Sequence, residues 1–136
     1  MSEHPVAEFL GSTQTVAIIT TRSDGTEVAT PIWAVTVDGI AYIRSFRGRG
    51  AGWFRRAISG RPVAFSLEDG TIAEQDAAAS LRTPRAAVLV HDVPADQPIH
   101  ARIDAELRTK YARWPEDVAP MVVEPAIGST LRITPA

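Results

Sequence analysis

The chain contains no cysteine, which excludes disulfides and thiolate chemistry and removes the usual sulfur ligands of zinc. Lysine is nearly absent as well: Lys110 stands alone against thirteen arginines. A guanidinium fork suits phosphate and carboxylate better than an ammonium does, although a GC-rich gene produces the same skew. No apolar run approaches the roughly eighteen residues of a membrane-spanning helix. The opening MSEHPVAEFLGS lacks the basic and long apolar regions of a secretory signal. These absences lead to the expectation of a cytoplasmic protein with no membrane segment. One further absence is local: no Asp or Glu occurs between Asp38 and Glu68, although the net charge is −2. That gap contains YIRSFRGRGAGWFRRAISGR (Tyr42–Arg61), with six arginines.

What is present describes one domain over residues 1–136, long enough to bury a core without metal or disulfide support. A first helix is expected over Ser2–Leu10, capped by Ser2, with Val6, Phe9 and Leu10 inward. Thr15–Thr21 reads as a buried strand rich in β-branched residues. Asp24-Gly25 turns it into a return strand, Glu27–Val37, in which Pro31 implies an edge position or a bulge. Asp38-Gly39 turns again into Ile40–Ser45, giving a three-stranded meander. Ala51–Ser59 reads as a short helix with Phe54 and Ile58 inward, Arg55 and Arg56 toward water, and Gly60 ending it. Pro62–Glu68 alternates Val63, Phe65 and Leu67 inward. In Thr71–Pro84 the alanines favour a helix and the preceding Asp69-Gly70 turn favours a strand, and the two remain open. Arg85–Val93 is a strand. The helix after it is capped by Asp96, with Ile99, Ile103, Leu107 and Tyr111 as its apolar stripe. Asp104–Arg108 and Glu106–Lys110 fall at the spacing of exposed ion pairs. Pro115 and Pro120 bracket a loop or single turn, and Ser129–Thr134 closes as a strand. Six short, mostly antiparallel strands with accessory helices fit a small barrel or sandwich.

Catalytic side chains are inconspicuous. His4, His91 and His100 lack metal-ligand spacing, and no serine sits in a nucleophile elbow. GRGAG lacks the Lys-Ser/Thr ending of a phosphate-binding P-loop. Any catalysis would come from a borrowed cofactor. The arginine-rich turn allows three readings. Its arginines can form a solvated surface while Trp53 and Phe54 pack inside. Alternatively Arg44, Ser45, Arg47 and Arg49, with backbone N–H groups near Ala51–Trp53, can surround a phosphate. Nucleic acid is the weakest reading, because one basic patch on an acidic chain makes a poor footprint.

The order of these pieces resembles the pyridoxamine 5′-phosphate oxidase-like split β-barrels over roughly residues 6–70, and more loosely afterwards. More narrowly, TPIWAVTVDGIAYIRSFRGRGAGWFRRA and IDAELRTKYARW…STLRITP are similar to the domain of unknown function family 2255. The resemblance implies a six-stranded antiparallel split barrel. It also implies a homodimer that binds FMN, or a deazaflavin, in clefts between subunits. Thr30, Pro31, Ile32 and Trp33 would line the ring, with Arg44, Ser45, Arg47 and Arg49 at the phosphate and Trp53 beside the ring. Flavin-binding members carry a lysine at the start of the short helix, where this chain has Gly52 and Trp53. The implied activity is a small-molecule oxidoreductase. The alternative is a non-enzymatic module for a small anionic ligand or a protein partner.

Overall fold

The computed structural model describes residues 5–136; Ser2, the expected cap of the first helix, lies outside them. That helix, α1, spans Pro5–Ser12 and buries Val6, Ala7 and Leu10. Both Asp-Gly hairpins form. β1 (Val16–Thr21) pairs antiparallel with β2 (Glu27–Ile32). At their turn the Asp24 carboxylate accepts from the Thr26 N–H at 3.0 Å and its hydroxyl at 2.7 Å. β3 (Ala34–Val37) pairs with β4 (Ile40–Arg44). Asp38 and Gly39 both take positive φ, 53° and 79°, as a tight turn between twisted strands requires.

The two hairpins do not make a meander. After β4 come α2 (Gly52–Ala57), β5 (Val63–Ser66), α3 (Thr71–Gln75) and α4 (Ala77–Ser80). β6 (Arg85–Asp92), α5 (Ile99–Lys110), α6 (Pro115–Val118) and β7 (Thr130–Pro135) complete the chain. The sheet order is β2-β1-β5-β6-β7-β4-β3, so the expected strand Glu27–Val37 is divided at Trp33 and its halves lie at opposite ends of the sheet. Proline at 31 cannot donate to a ladder on both sides, and the Trp33 ring leaves the strand to stack on Tyr111 at 3.8 Å. The sheet therefore has seven strands where six were expected. Because β2 and β3 adjoin in sequence, the two ends of the sheet are tied through one residue, and the sheet must curl. The result is a mainly antiparallel split barrel with several helices.

Three apolar clusters fill it. Inside the curl, Val16, Ile18, Ile43, Phe65 and Leu131 meet Leu10 of α1 and Phe54 of α2. Behind β3 and β4, Val35, Val37 and Tyr42 pack on Ile103, Leu107 and Tyr111. Ala17 and Ile19, on the opposite side of β1 from Val16 and Ile18, form a third with Ala64 and Ala73. β1 is thus covered on both faces, which is why it reads as an unbroken apolar run.

Several local expectations are corrected. Leu67 lies beyond β5 and is 38% exposed, while all four residues of β5 are buried. Ile58 lies beyond α2 and is 42% exposed. Residues 71–84 form two short helices rather than one or a strand, broken at Asp76, whose carboxylate caps α4 by accepting from the Ala79 N–H at 3.2 Å. Pro98, not Asp96, is the residue before α5, and no side chain caps it. The two expected ion pairs on α5 are replaced by longer-range bonds. Asp104 meets Arg44 on β4, and the Lys110 ammonium donates to the carbonyls of Leu10 and Ala34. Among the described residues no helix is long and apolar enough to cross a membrane, and no group of three metal-binding side chains occurs.

Candidate functional site

A cleft of about 640 Å³ opens where β2 breaks from β3. The end of β2 supplies Thr30, Pro31 and Ile32, and the break supplies Trp33. Arg44 and Ser45 enter from the end of β4, followed by Phe46 and Arg47 of the next turn. Ala51, Gly52, Trp53 and Arg56 contribute the start of α2, and Asp117, Pro120 and Met121 close the cleft from α6 and the turn after it. Eight of the nine site residues read from the sequence therefore meet in one cleft. Arg49 does not. Its guanidinium reaches Asp92 at 2.9 Å and the Gly128 carbonyl at 3.0 Å, and lies over the Phe54 ring.

Arg44 lines the cleft but is largely engaged elsewhere. Its side chain is 1% exposed. Nη1 donates to Asp104 at 2.6 Å and to the Met121 carbonyl at 2.8 Å, and Nε donates to the Thr130 hydroxyl at 3.0 Å. Nη2 donates to Nδ1 of His100 at 2.9 Å. The other His100 nitrogen faces the Pro94 carbonyl at 2.9 Å, which can only accept, so that nitrogen carries the hydrogen and Nδ1 receives Arg44. Burial pulls the Arg44 guanidinium below its ordinary value, and the bond and charge of Asp104 pull it back; arginine stays charged regardless. Four of five donors are spent on holding β4 against α5, β7 and the turn at Met121. The sequence could not show this, because Asp104 and Thr130 lie far along the chain.

Ser45 is the opposite case. The residue is 2% exposed, and its hydroxyl has no hydrogen-bond partner among the described residues. Its backbone is fixed: the N–H donates to Ser129 and the carbonyl accepts from Gly48, both at 3.0 Å. Gly48 makes that turn with φ +86°, and a Cβ there would stand 3.2 Å from Pro125. The turn thus brings Ser45 to the wall of the cleft with its hydroxyl buried and without a partner among the described residues. The expected cradle of backbone N–H groups at α2 is incomplete, because the Ala51 N–H is taken by the Gly48 carbonyl.

The aromatic wall is built in layers. Trp33 stacks on Tyr111 at an interplanar angle of 7°, and Trp114 lies tilted at 44° to it with ring centres 6.3 Å apart. Burial pushes the Tyr111 phenol well above its ordinary value. It therefore stays protonated, donating to Gln14 at 2.6 Å and accepting from the Ala34 N–H at 3.3 Å. Trp53 both packs on the barrel core and faces the cleft, edge-on to Phe54 at 5.6 Å. Phe46, 51% exposed, carries Arg47 beside its ring at the rim.

Two groups were missed by sequence reasoning. Asp117, Pro120 and Met121 read only as a proline-bracketed loop, and nothing local ties them to residues near 45. Arg56 was expected to face water, yet it lines the cleft with Nε donating to the buried Thr20 hydroxyl at 2.9 Å. The available signal was Gly52, four residues earlier, whose missing side chain makes room for it.

Over residues 7–133 the sequence matches the family described as "Uncharacterized protein conserved in bacteria (DUF2255)". The chain belongs to that family. No curated protein matches it in sequence. Among solved structures, this DUF2255 member is similar to HutZ, titled as the heme storage protein of Vibrio cholerae. That match has a TM-score of 0.65 and 16% identity, over 96% of this chain and 87% of that one. A structure titled F420 reductase matches with TM-score 0.58 and 16% identity, over 99% and 96%. A FAD and heme binding protein of Mycobacterium smegmatis matches with TM-score 0.56 and 16% identity, over 97% and 64%. At these identities the likeness is one of fold, and it agrees with the split barrel built above.

Proposed function

We propose that the cleft of this DUF2255 member holds a planar, phosphate-bearing cofactor of the flavin class, FMN or a deazaflavin, and that two copies of the chain complete it as a homodimer. One observation carries the reading: the cleft combines an apolar wall with two arginines, Arg47 and Arg56, that no carboxylate among the described residues pairs. An anionic group bound beside them gains charge-assisted hydrogen bonds. The cleft volume falls within the range of small-molecule sites. Pro31, Ile32 and Trp33 offer an apolar wall for a ring, along the free edge of β2. In this reading Thr30 borders that wall, Trp53 flanks the ring, and Arg47 meets the phosphate from the rim. Arg44 acts indirectly by fixing the end of β4, and Arg49 fastens the loop.

The names of the similar structures, which include haem, FAD and F420, lend support to a cofactor of this general kind. A flavin suits the lining residues better than haem does, since none of them is histidine, cysteine or tyrosine, and methionine, present as Met121, ligates haem iron as the partner of a histidine. A bound flavin or deazaflavin supplies the hydride or electron chemistry itself. The chain's residues bind it, orient it and exclude water, which makes a small-molecule oxidoreductase the matching activity. The scarcity of proton-transfer groups favours a second reading, a module that holds a small anionic ligand without turning it over. Asp117 is the single carboxylate residue among those lining the cleft.

Titration with FMN and with a deazaflavin tests the first reading: binding quenches flavin fluorescence, and protein purified with the cofactor is yellow. Colourless protein that leaves both ligands unaffected overturns it. Light scattering is expected to return twice the chain mass, and a monomer removes the shared cleft.

A further inference from the structure

Arg56 and Arg47 are the two cleft cations that no carboxylate pairs among the described residues, and of the two Arg56 is the one held in place. Among the described residues no ion pair includes it, and its single hydrogen bond runs from Nε to the Thr20 hydroxyl. Thr20 is fully buried and follows Val16 and Ile18 on the barrel-facing side of β1, so the bond clamps the guanidinium to a rigid strand. Nη1 and Nη2 are left without partners. They lie across the start of α2: a Cβ built on Gly52 would stand 3.0 Å from Nη1 and 3.8 Å from Nη2. Any side chain at 52 would displace them.

The charges that act on the Arg56 guanidinium are of one sign, and Asp117, the one carboxylate residue lining the cleft, forms no ion pair with it. Burial draws the Arg56 guanidinium below its ordinary value, and the neighbouring charges of Arg22 and Arg55 act in the same direction. An anion reverses that balance, and several charges of like sign favour a doubly charged anion over a singly charged one. Arg44, by contrast, already has Asp104 and three neutral acceptors. Arg47, exposed at the rim of the same cleft, is a second cation without a carboxylate partner among the described residues.

We propose that Arg56, held by Thr20 and given room by Gly52, is the residue that recognises the anionic group of the cleft ligand, and that this group is a phosphate monoester. The proposal deepens the cofactor reading and rests on it for the ring, but not for the phosphate. Arg47 then assists from the rim.

The test pairs two probes with two variants. Native protein, Arg56→Gln and Arg56→Lys are titrated with FMN and riboflavin, and the thermal shift given by inorganic phosphate is measured for each. Loss of a charge-assisted contact predicts that Arg56→Gln weakens FMN binding by about tenfold or more, leaves riboflavin unchanged, and abolishes the phosphate shift. Arg56→Lys keeps the charge without the planar fork, and recovers part of both effects. Unchanged circular dichroism and melting in the absence of ligand show that the variants fold. Equal losses for FMN and riboflavin overturn the proposal, as does a phosphate shift that survives Arg56→Gln or is missing from native protein. If native protein ignores both flavins yet keeps a phosphate shift that depends on Arg56, the flavin reading fails and the anion site stands.

Discussion

Arg44 and Lys110 are cations that the fold draws out of water, and it holds them in different ways. Arg44 is paired, with Asp104 at 2.6 Å and three neutral acceptors around the rest of its fork. Removing the carboxylate leaves a buried charge uncompensated, so Asp104→Ala is expected to cost about 3 kcal/mol in denaturant unfolding. A loss no larger than that of an exposed pair would show the network to be dispensable. Lys110 has carbonyls and no carboxylate, and desolvation lowers its ammonium from 10.5 to about 8. Between those two values the unfolded chain binds the extra proton and the folded chain does not. Stability is therefore expected to rise as pH increases from about 8 to about 10.5. Lys110 is the only lysine, so a single side-chain resonance reports its titration by NMR; a midpoint near 10.5 would refute the shift. Neither environment was legible in the sequence. Spacing of four placed Asp104 with Arg108 and Glu106 with Lys110, and only tertiary packing revealed the stronger partners.

Elements were readable wherever a turn residue and an apolar pattern agreed. Asp24-Gly25 and Asp38-Gly39 gave their hairpins, and Ile103, Leu107 and Tyr111 gave the buried face of α5. The failures have physical causes. Leu67 and Ile58 continue a pattern past the point where the backbone has left its element. The division at Trp33 followed from an aromatic stack with Tyr111, a residue far along the chain. Gly70 shows the same limit. It was read only as part of an Asp-Gly turn, but a Cβ there would stand 2.5 Å from the Val16 carbonyl carbon and 2.7 Å from the Thr15 oxygen. Neither backbone atom can yield without disturbing β1, so Gly70→Ala is expected to cost about 1–3 kcal/mol and lower the melting temperature by several degrees. Gly50, with open space around it and no unusual φ, is the control. Its alanine variant is expected to change stability by no more than about 0.5 kcal/mol, and equal effects at both positions would refute the steric account.

At the scale of the molecule, most of the half of the cleft drawn from residues 30–53 could be assembled from sequence because it is nearly contiguous. The half at Asp117–Met121 could not, because only the closed barrel brings it beside β4. That closure depends on β7, which lies between β6 and β4 although it is the last strand in chain order. Before β7 is made, β2-β1-β5-β6 and β4-β3 are separate fragments with raw edges, and their union waits for pairings of long sequence separation. An unfinished chain on the ribosome thus exposes strand edges that its neighbours can also pair with. The interval between making β4 and making β7 is when this protein is most vulnerable to aggregation, and most in need of a chaperone.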